Sequence, residues 1–234
     1  MTDILLPDPS GISRAAALLQ QGALVALPTE TVYGLGADAR NGTAVAGIYT
    51  AKGRPSFNPL IIHVADVDQA RQYGRWSDTA EVLASAFWPG PMTLVLPLAD
   101  GHGLSSLVTA GLDSIAIRIP AHPTARAILR AFGGPVAAPS ANPSGKISAT
   151  TAQHVLSGLQ GRIAAVVDDG PCTVGLESTI IGLNQPRPTL LRAGGLPSEA
   201  IEAALGGTLD VADGAELSPP ANWRPTMRPM PACG

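Results

Sequence analysis

Charge is scarce in this 234-residue chain. Charged residues make up 14% of it, against roughly 25% in an average soluble domain. Whole-chain disorder is excluded, because disorder needs high charge and few core formers, and apolar residues here reach 45%. Long apolar runs are missing: no window approaches the ~18–20 residues of a membrane span. Cysteine is nearly absent, with Cys172 and Cys233 alone, so reduced thiols are expected rather than a disulfide framework. The opening MTDILLPDPS carries an acid where a signal peptide has basic residues. These absences predict a soluble, cytoplasmic globular protein without a membrane partner. Bulk electrostatic binding of nucleic acid is disfavoured by the net charge of −3.

Lysine is rarer still. Of 15 basic residues, only Lys52 and Lys146 are lysines, a bias that base composition explains by itself. No Walker loop occurs, since the Gly-Lys-Ser/Thr ending is missing. No Cys/His set has zinc spacing, no nucleophile elbow appears, and hydride-transfer fingerprints are lacking.

What is plentiful is glycine and proline, 26 and 22 residues, which excludes a coiled coil or long-helix bundle. Between these breaks, apolar patterning predicts helices at 11–21, 43–51, 77–87 (N-capped by Ser77), 123–132 (Pro123 first), 150–159 and 197–205. Strands are expected at 23–27, 60–64, 92–96, 114–119, 136–138, 164–167, 178–183 and 189–192. The segment around Gly34 and Gly36 reads as a loop. Strands interspersed with helices predict an α/β fold, a single domain with a mixed sheet flanked by helices. Periodicity is lost after Gly206, and five prolines lie from Pro219 onward. Residues 1–206 are therefore expected as the domain and 207–234 as a proline-rich tail.

Five segments offer chemistry. PTETVYGLGADA (Pro28–Ala39) sets hydroxyls beside two glycines, which suits close approach to a ligand. KGRPSFNPLIIHV (Lys52–Val64) brings two cations, stiffened by Pro55 and Pro59, before Asn58 and His63; capping of a helix C-terminus explains the cations equally. In SIAIR, Ser114 and Arg118 share one strand face, and an Arg fork there suits a carboxylate. APSANPSGKIS (Ala138–Ser148) follows a strand and leads to a helix N-terminus, where backbone donors attract anions. GLESTII and LLRAGG add Ser178 and Arg192 at strand ends. Hydroxyls, an amide and cations without a general-base pair suit a nucleoside triphosphate and a small carboxylate, with catalysis by positioning and charge neutralisation.

These segments, with FWPGPMTLVL, resemble in order and spacing the YrdC-like threonylcarbamoyl-AMP synthase family, from about Ala15 to Leu205. The resemblance implies a twisted mixed sheet with a concave, positive groove. It also implies a reaction: L-threonine, bicarbonate and ATP give threonylcarbamoyl-AMP and pyrophosphate. The product would go to a threonylcarbamoyl transferase that modifies the tRNA adenosine next to the anticodon, which makes tRNA itself a candidate partner. By position the resemblance assigns Thr31, His63, Arg118, Ala138 and Ser178 to L-threonine. It assigns Arg54, Asn58, Ser114, Ser140, Asn142, Ser148 and Arg192 to ATP. Lys52 and Arg54 take the catalytic part, offsetting repulsion between anions, with Mg2+ carried on the ATP phosphates and no protein metal site. Two departures stand out: Ala149 replaces the family's usual proline, and the chain reads as a short form without the C-terminal domain of longer relatives. The alternatives are a carbamoyl-adenylate enzyme and an RNA-binding or ribosome-maturation module.

Overall fold

The computed structural model describes residues 1–55 and 58–212. Most of the expected tail, residues 213–234, lies outside them. The elements run β1 (Asp3–Leu5), α1 (Pro9–Gln20), β2 (Val25–Leu27), β3 (Gly34–Asp38), α2 (Gly42–Lys52), β4 (Ile61–His63) and α3 (Val67–Ala70). Then follow α4 (Asp78–Phe87), β5 (Met92–Pro97), α5 (Ser106–Thr109), β6 (Ser114–Arg118), α6 (Pro123–Phe132) and β7 (Val136–Ala137). The chain continues with α7 (Ala152–Leu159), β8 (Ala165–Val167), β9 (Thr179–Gly182), β10 (Thr189–Arg192), α8 (Ser198–Leu205) and β11 (Asp210–Val211).

Among the described residues the strands form one 11-stranded sheet in the order β1-β8-β2-β3-β7-β4-β6-β5-β9-β10-β11. Its ladders mix parallel pairs, such as β4 with β6, and antiparallel ones, such as β9 with β10. The mixed α/β layering expected from the sequence is therefore present. Local chemistry sets the helix ends. Ser77 accepts the Ala80 N–H at the start of α4, Pro123 opens α6, and Gly53 closes α2 in the left-handed region at φ 60°.

Strand alternation divides the apolar residues between two cores. In β2, Ala26 joins one core while Val25 and Leu27 join the other; in β8, Val166 is set against Ala165 and Val167. Helices α1 and α6 pack together and supply the second core, with Leu19, Ile128 and Phe132. That core contains no residue of β5, β6, β9 or β10. On β5 and β6 the face turned away from Leu94 and Ile117 of the first core carries Thr93 and Arg118.

Several expectations change. Gly34–Asp38 is a buried strand rather than a loop, and its glycines serve packing: a Cβ on Gly36 would lie 3.0 Å from Val136 Cγ1 and 3.1 Å from Val25 O. Helix α7 is capped by Thr151, which accepts the His154 N–H, so Ser148 stands three residues outside it. Strands β1 and β11 and helices α3 and α5 lie outside the elements that the apolar patterning predicts. Strand β11 lies past Gly206 and pairs with β10, so the sheet extends into the region assigned to the tail.

Candidate active site

A row of cross-strand partners crosses the sheet beyond the second core, and His63, Arg118 and Thr93 in it are all buried. His63 of β4 pairs with Arg118 of β6, Arg118 with Thr93 of β5, Thr93 with Ile180 of β9, and Ile180 with Arg192 of β10. Cross-strand partners project from the same face, so the row places His63, Arg118 and Thr93 on one side; Arg192, which follows a register shift in β10, is tied to it by donating to Ser178 Oγ at 3.1 Å. Ser178 joins it: its hydroxyl lies 2.7 Å from the Thr93 hydroxyl, and it is buried.

Arg118 occupies the middle. Its Nη1 donates to Thr31 Oγ1 at 2.8 Å, its Nη2 to Glu30 Oε1 at 2.7 Å, and its Nε to Gly90 O at 3.3 Å. The fork expected to await a ligand carboxylate is thus partly held by a carboxylate of the chain itself. Thr31 is fully buried and braced by Thr29, whose hydroxyl lies 2.9 Å away. The β2–β3 connection, Pro28–Tyr33, carries both Glu30 and Thr31 over the strand face. His63 is buried and its pKa is pushed down to about 3, first by burial and then by the Arg118 charge. It is a neutral imidazole at physiological pH, and its Nδ1 has no hydrogen-bond partner among the described residues. Ala138, also buried, gives its N–H to Ile61 O at 2.9 Å.

A second group gathers around Glu177. Its Oε1 accepts from Ser148 Oγ at 2.7 Å, and its Oε2 lies 3.5 Å from Arg192 Nη2. Arg192 also donates through Nε and Nη2 to Ser178 O, at 3.1 and 2.9 Å, which ties this group to the Arg118 row. Burial pushes the Arg192 guanidinium below its usual range, opposed by Glu177.

Lys52, the last residue of α2, is 4% exposed, and its ammonium donates to the carbonyls of Ser140 and Asn142. Its own carbonyl receives the Ser144 N–H at 2.8 Å. Lys52 therefore ties α2 to the Ala138–Ser148 loop. Burial, aided by Arg54, pushes its pKa down to about 8. Asn142 is likewise engaged within that loop, donating to the carbonyls of Pro143 and Lys146. Lys146 is exposed.

The remaining candidates are more dispersed. Arg54 reaches Pro59 O at 3.4 Å, and the Asn58 carbonyl receives the Tyr49 hydroxyl at 3.0 Å. Ser114 shares a face with Arg118 but stands at the far end of β6, opposite Pro97. Four residues of strand separate the two by about 13 Å. Glu30, Thr93 and Glu177 were not singled out from sequence. Thr93 was detectable, because Met92, Leu94 and Leu96 alternate against it. Glu30 stands between the hydroxyls of Thr29 and Thr31 in its segment.

The profile of the family described as Telomere recombination, comprising Sua5, YciO and YrdC, matches residues 17–194. The chain belongs to this family. Among family relatives, it is 52% identical over 207 residues to threonylcarbamoyl-AMP synthase of Bacillus subtilis, covering 88% of this chain and 60% of that protein. With the synthase of Halorhodospira halophila the identity is 40% over 185 residues, covering 77% of this chain and 89% of that one. The structure of Pyrococcus abyssi Sua5 complexed with L-threonine superposes with a TM-score of 0.86 at 41% identity, over 96% of this chain and 68% of that one. Escherichia coli YciO, at 19% identity and a TM-score of 0.75, shares the fold. The chain spans 54–60% of the length of the first three curated relatives it matches.

Proposed function

We propose that this chain is an L-threonylcarbamoyladenylate synthase that joins L-threonine, bicarbonate and ATP into threonylcarbamoyl-AMP and pyrophosphate. The observation that carries the reading is the buried Arg118 row, held against Thr31 and linked through Ser178 to Arg192. It supplies a site for an amino-acid carboxylate directly beside cationic groups suited to a triphosphate. The likeness to a Sua5 crystallised with L-threonine supports threonine as the amino acid.

In this reading Arg118, Thr31, His63, Ser178 and the Ala138 backbone hold threonine. Arg118 retains unused N–H donors, since a guanidinium has five and the structure engages three. Bicarbonate takes up a proton and loses water to give carbon dioxide; the threonine α-ammonium gives up a proton, its free amine bonds to the carbon dioxide carbon, and loss of a second N–H proton to water leaves an N-carboxylate. An oxygen of that carboxylate bonds to the α-phosphorus, the bond from this phosphorus to the bridging oxygen breaks, and pyrophosphate leaves; magnesium brought in with ATP would offset the phosphate charge. Both reactants are anions, so Lys52, Arg54 and Arg192 act by neutralising charge as the transition state crowds it together. Ser148, Ser140, Asn142 and Asn58 line the nucleotide side, and Ser114 serves its outer end. The product, a reactive mixed anhydride, requires a transferase that passes the threonylcarbamoyl group to tRNA.

Mass spectrometry of a mixture of the protein, MgATP, L-threonine and labelled bicarbonate tests this. One labelled carbon in a threonylcarbamoyl-AMP product supports the reading. Unlabelled product, or AMP alone, overturns it.

A further inference from the structure

Glu30 is a buried carboxylate with one oxygen used and one unused. It is 7% exposed. Its Oε1 accepts from Arg118 Nη2 at 2.7 Å, while Oε2 is buried with no hydrogen-bond partner among the described residues. Leaving a charged acceptor unsatisfied in the interior is costly. A fold meant only to neutralise Arg118 could have used both oxygens, because the guanidinium fork matches a carboxylate bidentately. Here the fork is split between Glu30 and Thr31 instead.

Charge balance gives the unused oxygen a purpose. Arg118 and Glu30 cancel, and His63 beside them is neutral. A lone arginine suits a monoanion, but a cancelled pair suits a zwitterion, which brings one group of each sign on a single carbon. We infer that Glu30 receives the α-ammonium of the amino-acid substrate through Oε2 while Arg118 receives its carboxylate. The inference rests on the proposed threonine site and adds a residue that reads the amine. Glu30 thereby selects an α-amino acid over a hydroxy acid or another small anion of the same shape. Thr93 and Ser178, whose hydroxyls already engage each other, lie in the same row but bring no charge to an ammonium.

Isothermal titration with L-threonine and with (R)-3-hydroxybutanoate, which keeps the carboxylate, hydroxyl and methyl but lacks the amine, tests this. A charge-assisted hydrogen bond is worth about 10- to 100-fold in affinity. Wild-type protein should therefore bind threonine at least about tenfold more tightly than the hydroxy acid. Glu30→Gln should weaken threonine by a similar factor and bind (R)-3-hydroxybutanoate as well as wild type or better, because Arg118 is no longer neutralised. A residue that merely braces Arg118 would lose both ligands together, and that result overturns the inference. Equal wild-type affinity for the two ligands also overturns it, without requiring any variant to fold. Glu30→Asp, which keeps the charge, should retain the preference for threonine. Wild-type protein that binds no threonine would refute the proposed function itself, and the inference with it; threonine binding unchanged in Glu30→Gln refutes the inference alone.

Discussion

The ammonium of Lys52 lies 2.5 Å from the carbonyl oxygen of Asn142, ninety residues further along the chain. A second carbonyl, that of Ser140, receives the same group. One side chain thus holds the end of α2 against the loop that carries Ser140 through Ser148, and it does so beside Arg54 and Glu177, both of which act on its charge.

Lys52→Ala should therefore lose both stability and activity. Two carbonyls without their donor cost about 1–3 kcal/mol, and at about 2–4 °C per kcal/mol for a domain of this size the thermal midpoint should drop by several degrees. Loss of a charge-stabilising contact should lower pyrophosphate release by about 10²–10³-fold. Lys52→Arg should recover little, because a planar guanidinium does not fit a site built around a compact ammonium. Thermal melts and turnover on both variants check this; full activity in Lys52→Ala would leave the residue a structural tie alone.

The pH dependence carries a definite sign. Burial lowers the Lys52 pKa to about 8, so the ammonium is charged below that value and neutral above it. ATP affinity should fall as pH rises through about 8, and the same titration in Lys52→Ala should be flat across that window. A wild-type affinity that rises through pH 8 would contradict the account.

Arg118→Lys should weaken threonine binding while leaving ATP binding intact. The lysine keeps a positive charge opposite Glu30, which protects the fold from an unpaired buried carboxylate. It cannot reproduce the three-way grip on Thr31, Glu30 and Gly90. Calorimetric titration of each ligand separates the outcomes, and unchanged threonine affinity would make Arg118 a structural residue.

Gly194→Ala probes the frame behind Ser178. A Cβ there would lie 2.4 Å from Glu177 O, 2.5 Å from Ser178 C and 2.6 Å from Thr179 N. These are backbone atoms, so the strand entry must move. A loss of about 1–3 kcal/mol is expected, with weakened threonine binding because Ser178 and Arg192 are tied together there. An unchanged thermal midpoint would show that the segment yields freely.

Sequence patterning located what depends on neighbours along the chain. The alternation of Ser114–Ile119 separated Arg118 from the isoleucines of the core, and Pro123 and Ser77 marked the helix starts they occupy. What it missed depends on distant partners. Gly34–Asp38 reads as a loop because glycine weakens a strand pattern, yet Val25 and Val136 leave no space for a side chain at Gly36. Glu30 gains its meaning from Arg118, 88 residues away. Glu177 gains its own from Ser148 and Arg192. Strands β1 and β11 have three and two residues, too few for any period to show.

The most direct test of the account is pyrophosphate release measured with MgATP, L-threonine and bicarbonate, each omitted in turn. In the proposed reaction the amino acid and the carbon dioxide it takes up make the nucleophile, and the Arg118 row and the Lys52–Arg192 cations serve that one step. Release should fall to background when any one of the three is left out. Pyrophosphate formed at the full rate without threonine, or without bicarbonate, would contradict the account.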